Sequence, residues 1–367
     1  MLFLSNADVE RLLSMKECIE VQEKAFKALE TGGAIHRPRI DLYAPSNTQT
    51  DGYYRWGTME GWYDGIFATR MKSDVNTWPK AGNGIATEEK YCIQPGTFCG
   101  LIMLFSSDNG EPLAMMNDGI LQHMRVGAGA GIGVKYLSRQ NSSTVGMLGS
   151  GGMAETFLGA YCEVRPIKKV KVFSPTKANR EKFAKRMSER HNIEVVPVDT
   201  AREAVRGVDI LSTNTDSMVP TFEPEWLEPG MHVSMLGPCE VSPAAEKRFD
   251  VCIRQGVGGL KLPETERIKM EIGMSPLAYI GGTKEEMRRL PPKTTGSGFG
   301  GDYPDFCDLV YGRAKGRTRD DQISFYHNMG NQGLQFASVA GLVYRKAKGE
   351  QGIRSIPTEW FVQDIRD

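Results

Sequence analysis

Residues 144–154, Thr-Val-Gly-Met-Leu-Gly-Ser-Gly-Gly-Met-Ala, constrain this chain more than any others. A short apolar run ends in Gly149-Ser150-Gly151-Gly152-Met153-Ala154, the form G-x-G-x-x-A, with a helical pattern behind it. Each small residue has its own geometrical reason. Gly149 permits a tight turn, Gly151 lets the backbone approach a pyrophosphate, and Ala154 allows the helix to pack closely on the strand. The helix N-terminus then presents free N–H groups and a positive dipole end to the phosphates. A second strand is expected at 169–173, so the motif has the strand–turn–helix–strand setting that separates a dinucleotide fingerprint from a chance glycine cluster.

The alternation continues downstream. Helical patterns at 153–163, 178–191 and 201–205 alternate with strand-like pieces at 195–198, 209–213, 232–236 and 250–254. That predicts a parallel sheet covered on both faces, in a unit spanning 126–322. Upstream, Ser5 with Asp8 and Ser14 with Glu17 form capping boxes that open two helices, and Gly32-Gly33 ends the second. Residues 37–105 carry aromatic and β-branched residues in pieces broken by Pro, Gly and Asn, which predicts an antiparallel or mixed sheet. Within it, a period of two puts Ala68, Arg70, Lys72 and Asp74 on one face.

A helix at 118–137 contains glycine at 127, 129, 131 and 133. Each costs about 1 kcal/mol relative to alanine, so close packing of backbone against a neighbour or a ligand is expected there. A long helical pattern at 325–348 ends at Gly349 and is expected to return to the N-terminal region. The fold class is therefore α/β: a Rossmann-type dinucleotide-binding domain at 126–322 plus a discontinuous α+β substrate and dimerisation domain from 1–125 and 323–367.

Length and composition agree, since 367 residues suit two domains at roughly 100–200 residues each. Forty-five Lys and Arg balance 45 Asp and Glu, which removes the basic excess that a nucleic-acid groove or an acidic membrane surface would require. The seven cysteines are scattered without a CxxC pair, and the five histidines stand alone. Neither a disulfide framework nor a zinc site with local ligand spacing is expected. No apolar run approaches the ~18 residues of a membrane span, and the first residues do not resemble a signal peptide. A cytoplasmic protein is expected.

The end of the 169–173 strand bears on the choice of dinucleotide. An acidic residue there usually binds the ribose 2′-hydroxyl of NAD. This chain has Ser174, Pro175, Thr176 and Lys177, with Arg180 beyond. Hydroxyls and cations in place of an acid favour NADP(H) over NAD(H). The cofactor-binding set is thus Gly149, Ser150, Gly151, Gly152, Met153, Ala154, Ser174, Thr176, Lys177 and Arg180, with Asn214 at the carboxyl end of the next strand.

Beyond this motif the chain resembles the ornithine cyclodeaminase/μ-crystallin family over nearly its whole length. The resemblance rests on residues 4–13, on Arg37-Pro38-Arg39, and on Arg70-Met71-Lys72 followed by Val75, Asn76 and Pro79. It continues through Leu121-Gln122-His123-Met124-Arg125, the Rossmann turn, and Gly316-Arg317-Thr318 with Asp320-Asp321-Gln322-Ile323. It implies a homodimer and a substrate pocket between the first domain and the nicotinamide. It also implies that Arg39, Lys72 and Arg125 grip a substrate carboxylate. The chemistry is consistent, because an α-amino or α-imino acid needs fixed cations and arginine offers a bidentate fork. Lys72 would exchange a proton with the substrate nitrogen, provided burial beside Arg70 and Arg125 lowers its pKa.

One segment departs from the family pattern. Ornithine cyclodeaminases carry an Asp after a strand ending in glycine, where it meets the substrate amine. Here residues 236–243 are one residue longer and the nearest carboxylate is Glu240, which either takes that catalytic role or marks its loss. The expected activity is an NAD(P)-dependent hydride transfer at C2 of a small α-imino or α-amino acid. Ornithine cyclodeamination is the alternative within the enzymes. A non-catalytic, crystallin-like dinucleotide-binding protein is the alternative outside them. The aromatic stretch 53–78 is expected to serve as core, dimer contact or pocket wall.

Overall fold

The structure is a computed structural model that describes residues 1–80, 86–291, 296, 298 and 302–365. Two sheets organise it. In the second, seven strands run parallel in the order Glu194–Pro197, Lys169–Phe173, Thr144–Leu148, Ile210–Thr213, His232–Met235, Ser324–His327 and Val251–Arg254. Chain order reverses direction at Thr144–Leu148, whose neighbours are the strands that come second and fourth within this sheet. Ligands bind at such a switch point, beyond the carboxyl ends of the strands. Helices Gly152–Val164 and Lys177–His191 follow the first two strands of this unit in the sequence.

The other sheet has twelve strands among the described residues and is mixed. Its centre is the antiparallel pair Tyr53–Tyr63 and Ile66–Thr77, in which Arg55 lies opposite Asp74 and Gly57 opposite Lys72. Burial alternates strictly along Ile66–Thr77, with Ala68, Arg70, Lys72 and Asp74 all inward. Helices Met15–Ala28, Gly119–Leu137 and Gln332–Ala347 contribute buried apolar residues to the core on that inner face, including Phe26, Ile132 and Phe336. Both N-terminal capping boxes form.

Two expectations need correction. The helix foreseen at 325–348 begins only at Gln332, and Ser324–His327 is a fully buried strand of the parallel sheet. A short apolar run buried on all sides has no periodicity to distinguish strand from helix. The break follows from Gly330 and Asn331, whose positive φ values of 101° and 53° interrupt any helix. The boundaries 126–322 and 323–367 therefore do not follow the sheets. Strand Ser324–His327 belongs with the parallel one. Strands Ile268–Ile272 and Ser275–Ile280 join the mixed sheet, where the second pairs with Ile40–Pro45.

The glycine helix Gly119–Leu137 touches both halves. A methyl group at Gly127 would lie 2.5 Å from the Thr156 carbonyl oxygen, and one at Gly131 would lie 2.9 Å from Ala160 Cβ, both on helix Gly152–Val164. Gly133 lies against the ring of Tyr326 in the parallel sheet. The neighbours are protein. Gly127→Ala therefore weighs about 1 kcal/mol of gained helix propensity against overpacking of about 1–3 kcal/mol, at its worst against rigid backbone. We expect urea denaturation to show a net loss of about 1–2 kcal/mol. A stabilised variant would contradict the close contact of the two helices.

Candidate active site

A cavity of about 1060 Å³ opens between the two sheets. At its dinucleotide end the wall comprises Gly149 to Met153, Ser174, Pro175, Thr176, Asn179, Asn214 and Thr215. Gly149 has a φ of 108°, and a side chain there would be driven into the backbone of Asn214. Gly151, the N-cap of helix Gly152–Val164, has open space where a side chain would stand and no side-chain cap. The first N–H groups of that helix are thus available to an anion. Asn214 is buried with its amide Nδ2 unpartnered, while its Oδ1 accepts from the Ser212 hydroxyl at 2.8 Å. An open helix N-terminus and an orphaned buried donor fit a dinucleotide.

Residues expected to hold the ribose end behave unequally. The Ser150 hydroxyl donates to Ser174 Oγ at 2.9 Å, and both line the cavity with Thr176. Ala154 is a core residue under the turn. Lys177 projects into solvent, 3.8 Å from Glu181. Arg180 is buried and donates to the Ser174 carbonyl and to Asp199. Neither Lys177 nor Arg180 lines the cavity.

At the other end the sheet floor is crowded with cations. Arg39, Arg55, Arg70, Lys72, Lys90 and Arg125 all line the cavity. Buried charge must be paired, and most of these are. Asp41 takes Arg39 in a bidentate fork of 3.0 and 2.6 Å. Asp74 takes Arg55 likewise at 3.0 and 2.8 Å, and also lies 3.0 Å from Lys72 Nζ. Glu88 completes the Arg55 pair at 3.2 Å, and Asp118 accepts from Arg70 Nε at 2.5 Å. Glycines make room for two of these acids. A side chain at Gly57 would collide with Asp41, and one at Gly100 with Asp118.

This arrangement sets the protonation states. Burial, reinforced by the neighbouring Arg55, pushes the Lys72 amine well below the ordinary lysine value. Burial alone would raise Glu88, but Arg55 and Lys90 outweigh it and hold the carboxyl at about 2. Asp74 is depressed for the same reason, by Arg55 and Lys72. Burial, then the nearby Arg70, lowers Arg125 to about 9. Phe98 forms a platform beside the amine, its ring centre 5.1 Å from Lys72 Nζ.

Glu240 requires a correction. It is fully buried and does not line the cavity. Its carboxylate accepts from the hydroxyls of Thr213 and Thr215 and from the backbone N–H groups of Thr215, Leu236 and Gly237. Burial raises its pKa against the pull of these donors. A carboxylate so occupied ties together the ends of two parallel strands and does not meet a substrate amine. The aromatic stretch is also resolved: none of Tyr53, Tyr54, Trp56, Trp62, Tyr63 and Trp78 lines the cavity. The loop at 296–301, to which the sequence assigned no role, lies mostly outside the described residues. Sequence reasoning missed Arg55, Glu88 and Phe98. For Arg55 a signal existed, because it shares the inward face of its strand with Tyr53 and Met59.

The profile of the ornithine cyclodeaminase/mu-crystallin family matches residues 1–351. The chain belongs to that family. Its fold is that of the family's nicotinamide-dependent enzymes, which include imino-acid reductases, amino-acid dehydrogenases and cyclodeaminases. A delta(1)-pyrroline-2-carboxylate reductase of Bacillus cereus is 27% identical over 355 residues, 96% of this chain and 98% of that one. An alanine dehydrogenase of Archaeoglobus fulgidus is 26% identical over 355 residues, 94% and 95% of the two chains. Among solved structures, the Thermococcus litoralis delta(1)-pyrroline-2-carboxylate reductase in complex with NADH and L-proline superposes with a TM-score of 0.74. It is 27% identical, with 97% of this chain and all of that one covered. No helix among the described residues is long and apolar enough to cross a membrane.

Proposed function

We propose that this protein reduces the C=N bond of a small α-imino acid, with Arg125 and Arg70 holding the carboxylate, Arg39 at the same wall, and Lys72 exchanging the proton. The observation that carries the reading is the juxtaposition of a buried, neutral-leaning lysine with arginines inside one cavity that also contains an open dinucleotide turn. When bound, the reduced nicotinamide supplies hydride to C2. Lys72 delivers a proton to the substrate nitrogen, so that an imine plus hydride and proton becomes an amine. A carboxylate held by Arg125 would limit the orientations open to the C=N bond within the cavity. Cyclodeamination of ornithine is disfavoured because Glu240, the carboxylate nearest the position of the family's aspartate, is fully occupied elsewhere. The non-catalytic reading is disfavoured by the depressed amine, an environment that serves proton transfer and costs stability. A reducing cytoplasm suits seven free cysteines.

The test is steady-state reduction of Δ1-pyrroline-2-carboxylate. Lys72→Met is expected to lower kcat by about 10²–10⁴-fold. Arg125→Ala is expected to raise KM by about 10–100-fold, the loss of a charged hydrogen bond. In the reductive direction the donor must be protonated. Activity should therefore fall as pH rises through the lowered Lys72 value, well short of 10.5. Proline and ammonia formed from L-ornithine without net NADH would instead support the cyclodeaminase.

The preferred cofactor in this reading is NADP(H). The strand before Ser174 ends without an acid, Ser174 and Thr176 line the cavity, and the exposed Lys177 opens the following helix, 3.8 Å from Glu181. NADPH should bind more tightly than NADH by several-fold, and Lys177→Ala should remove most of the difference. Equal affinities in calorimetry of the unmodified protein would refute the preference.

We further propose a homodimer formed by the outer face of the mixed sheet. Leu42 and Tyr54 are 51% and 36% exposed there, and Trp56, Trp62, Phe67 and Met71 are partly exposed beside them. So much apolar surface on a sheet marks an interface. Sedimentation velocity should give a dimer that Leu42→Glu with Trp56→Glu dissociates. A wild-type monomer at micromolar concentration would end the proposal.

A further inference from the structure

Arg125 differs from its neighbours in what holds it. Arg39, Arg55 and Arg70 each face a carboxylate. Among the described residues Arg125 has none. Its Nη1 donates to Gln335 Oε1 at 2.7 Å, and its Nη2 and Nε donate to Gln122 Oε1 at 2.8 and 3.3 Å. Its guanidinium lies 4.8 Å from the ring centre of Phe336.

The amide of Gln335 has a fixed orientation. The side chain is 1% exposed, and its Nε2 donates to Gln22 Oε1 at 2.7 Å and to the Arg125 carbonyl at 3.1 Å. Gln22 Nε2 donates to that same carbonyl at 3.0 Å. With both amide hydrogens directed at acceptors, only the oxygen can face the guanidinium. Gly129 makes space for this network, since an added methyl would stand 3.1 Å from Gln335 Nε2 and 2.6 Å from Asn328 Oδ1.

A neutral amide oxygen satisfies guanidinium donors without cancelling their charge. We infer that Gln335 is a positioning residue that keeps Arg125 oriented and electrostatically uncompensated, so that the cavity recognises a substrate carrying a single carboxylate. The inference rests on the reading of Arg125 as the carboxylate anchor. It also explains why a second acid is absent at this one arginine: a carboxylate there would compete with the substrate for the fork. The described acids of the floor, Asp41, Asp74, Glu88 and Asp118, are already committed to its cations.

The experiment measures binding of pyrrole-2-carboxylate, an unreactive planar anion, to the full-length protein saturated with NADP+. Four variants are compared by calorimetry: Arg125→Ala, Gln335→Glu, Gln335→Met and Gln122→Glu. Arg125→Ala and Gln335→Glu should each weaken the probe about tenfold or more, the loss of a charge-assisted contact. Gln335→Met should weaken it less than Gln335→Glu, because it removes orientation but adds no competing charge. Kinetically, Gln335→Glu should raise KM with little change in kcat, while NADPH affinity stays within twofold. Gln122→Glu approaches the same guanidinium from the half-buried side and should act in the same direction; it carries the test if Gln335→Glu fails to fold. Probe binding unchanged in the glutamate variants, with Arg125→Ala impaired, overturns the inference and leaves the anchor intact. Equal losses in Gln335→Met and Gln335→Glu also overturn it, as mere packing. Unchanged binding in Arg125→Ala removes the anchor reading and the inference with it.

Discussion

Burying guanidinium groups is costly enough that the cavity floor depends on the acids beneath it. Removing an arginine from water without a partner costs several kcal/mol, and here four arginines and two lysines line one end of the cavity. The strands meet this demand by register. Arg55 is opposite Asp74 across the central antiparallel pair, so the same pairing that builds the sheet also aligns the charges. Asp41 and Asp118 reach Arg39 and Arg70 only because Gly57 and Gly100 leave room on neighbouring strands. Glycines that look like breaks in a β pattern are, at these two positions, the space in which countercharge sits.

From this pairing the reactivity of the site follows. Burial, reinforced by the neighbouring Arg55, pushes the Lys72 amine towards the neutral form against the opposing pull of Asp74. One uncompensated arginine and one easily deprotonated amine remain. That combination suits a substrate with one carboxylate and one nitrogen that changes protonation during the reaction.

Much of this was legible in the chain. The G-x-G-x-x-A turn announced the parallel sheet and the cofactor end, because glycine and alanine there have few other reasons to be spaced so. The period of two through Ala68–Asp74 placed Arg70, Lys72 and Asp74 together. Three things were not legible. Strand Ser324–His327 read as helix because complete burial erases periodicity. Strands Ile268–Ile272 and Ser275–Ile280 crossed to the other sheet through pairing that no local pattern encodes. Glu240 looked available because two of the residues that donate to it, Thr213 and Thr215, are far from it in sequence and meet it only at the strand ends.

The glycine helix Gly119–Leu137 carries Arg125, packs its glycines tightly on the dinucleotide half and sends Ala128 and Ile132 into the core of the other half. A joint of that kind does not swing. Sliding it would bring its larger residues against the Thr156 carbonyl, the Ala160 methyl and the Tyr326 ring, where the glycines now leave no room for a side chain. Rigid-body rotation between the halves is therefore an expensive way to admit substrate or release product. Exchange with solvent falls instead to the segments at the cavity rim, and the tempo of turnover becomes a property of loops while the anchor itself stays still.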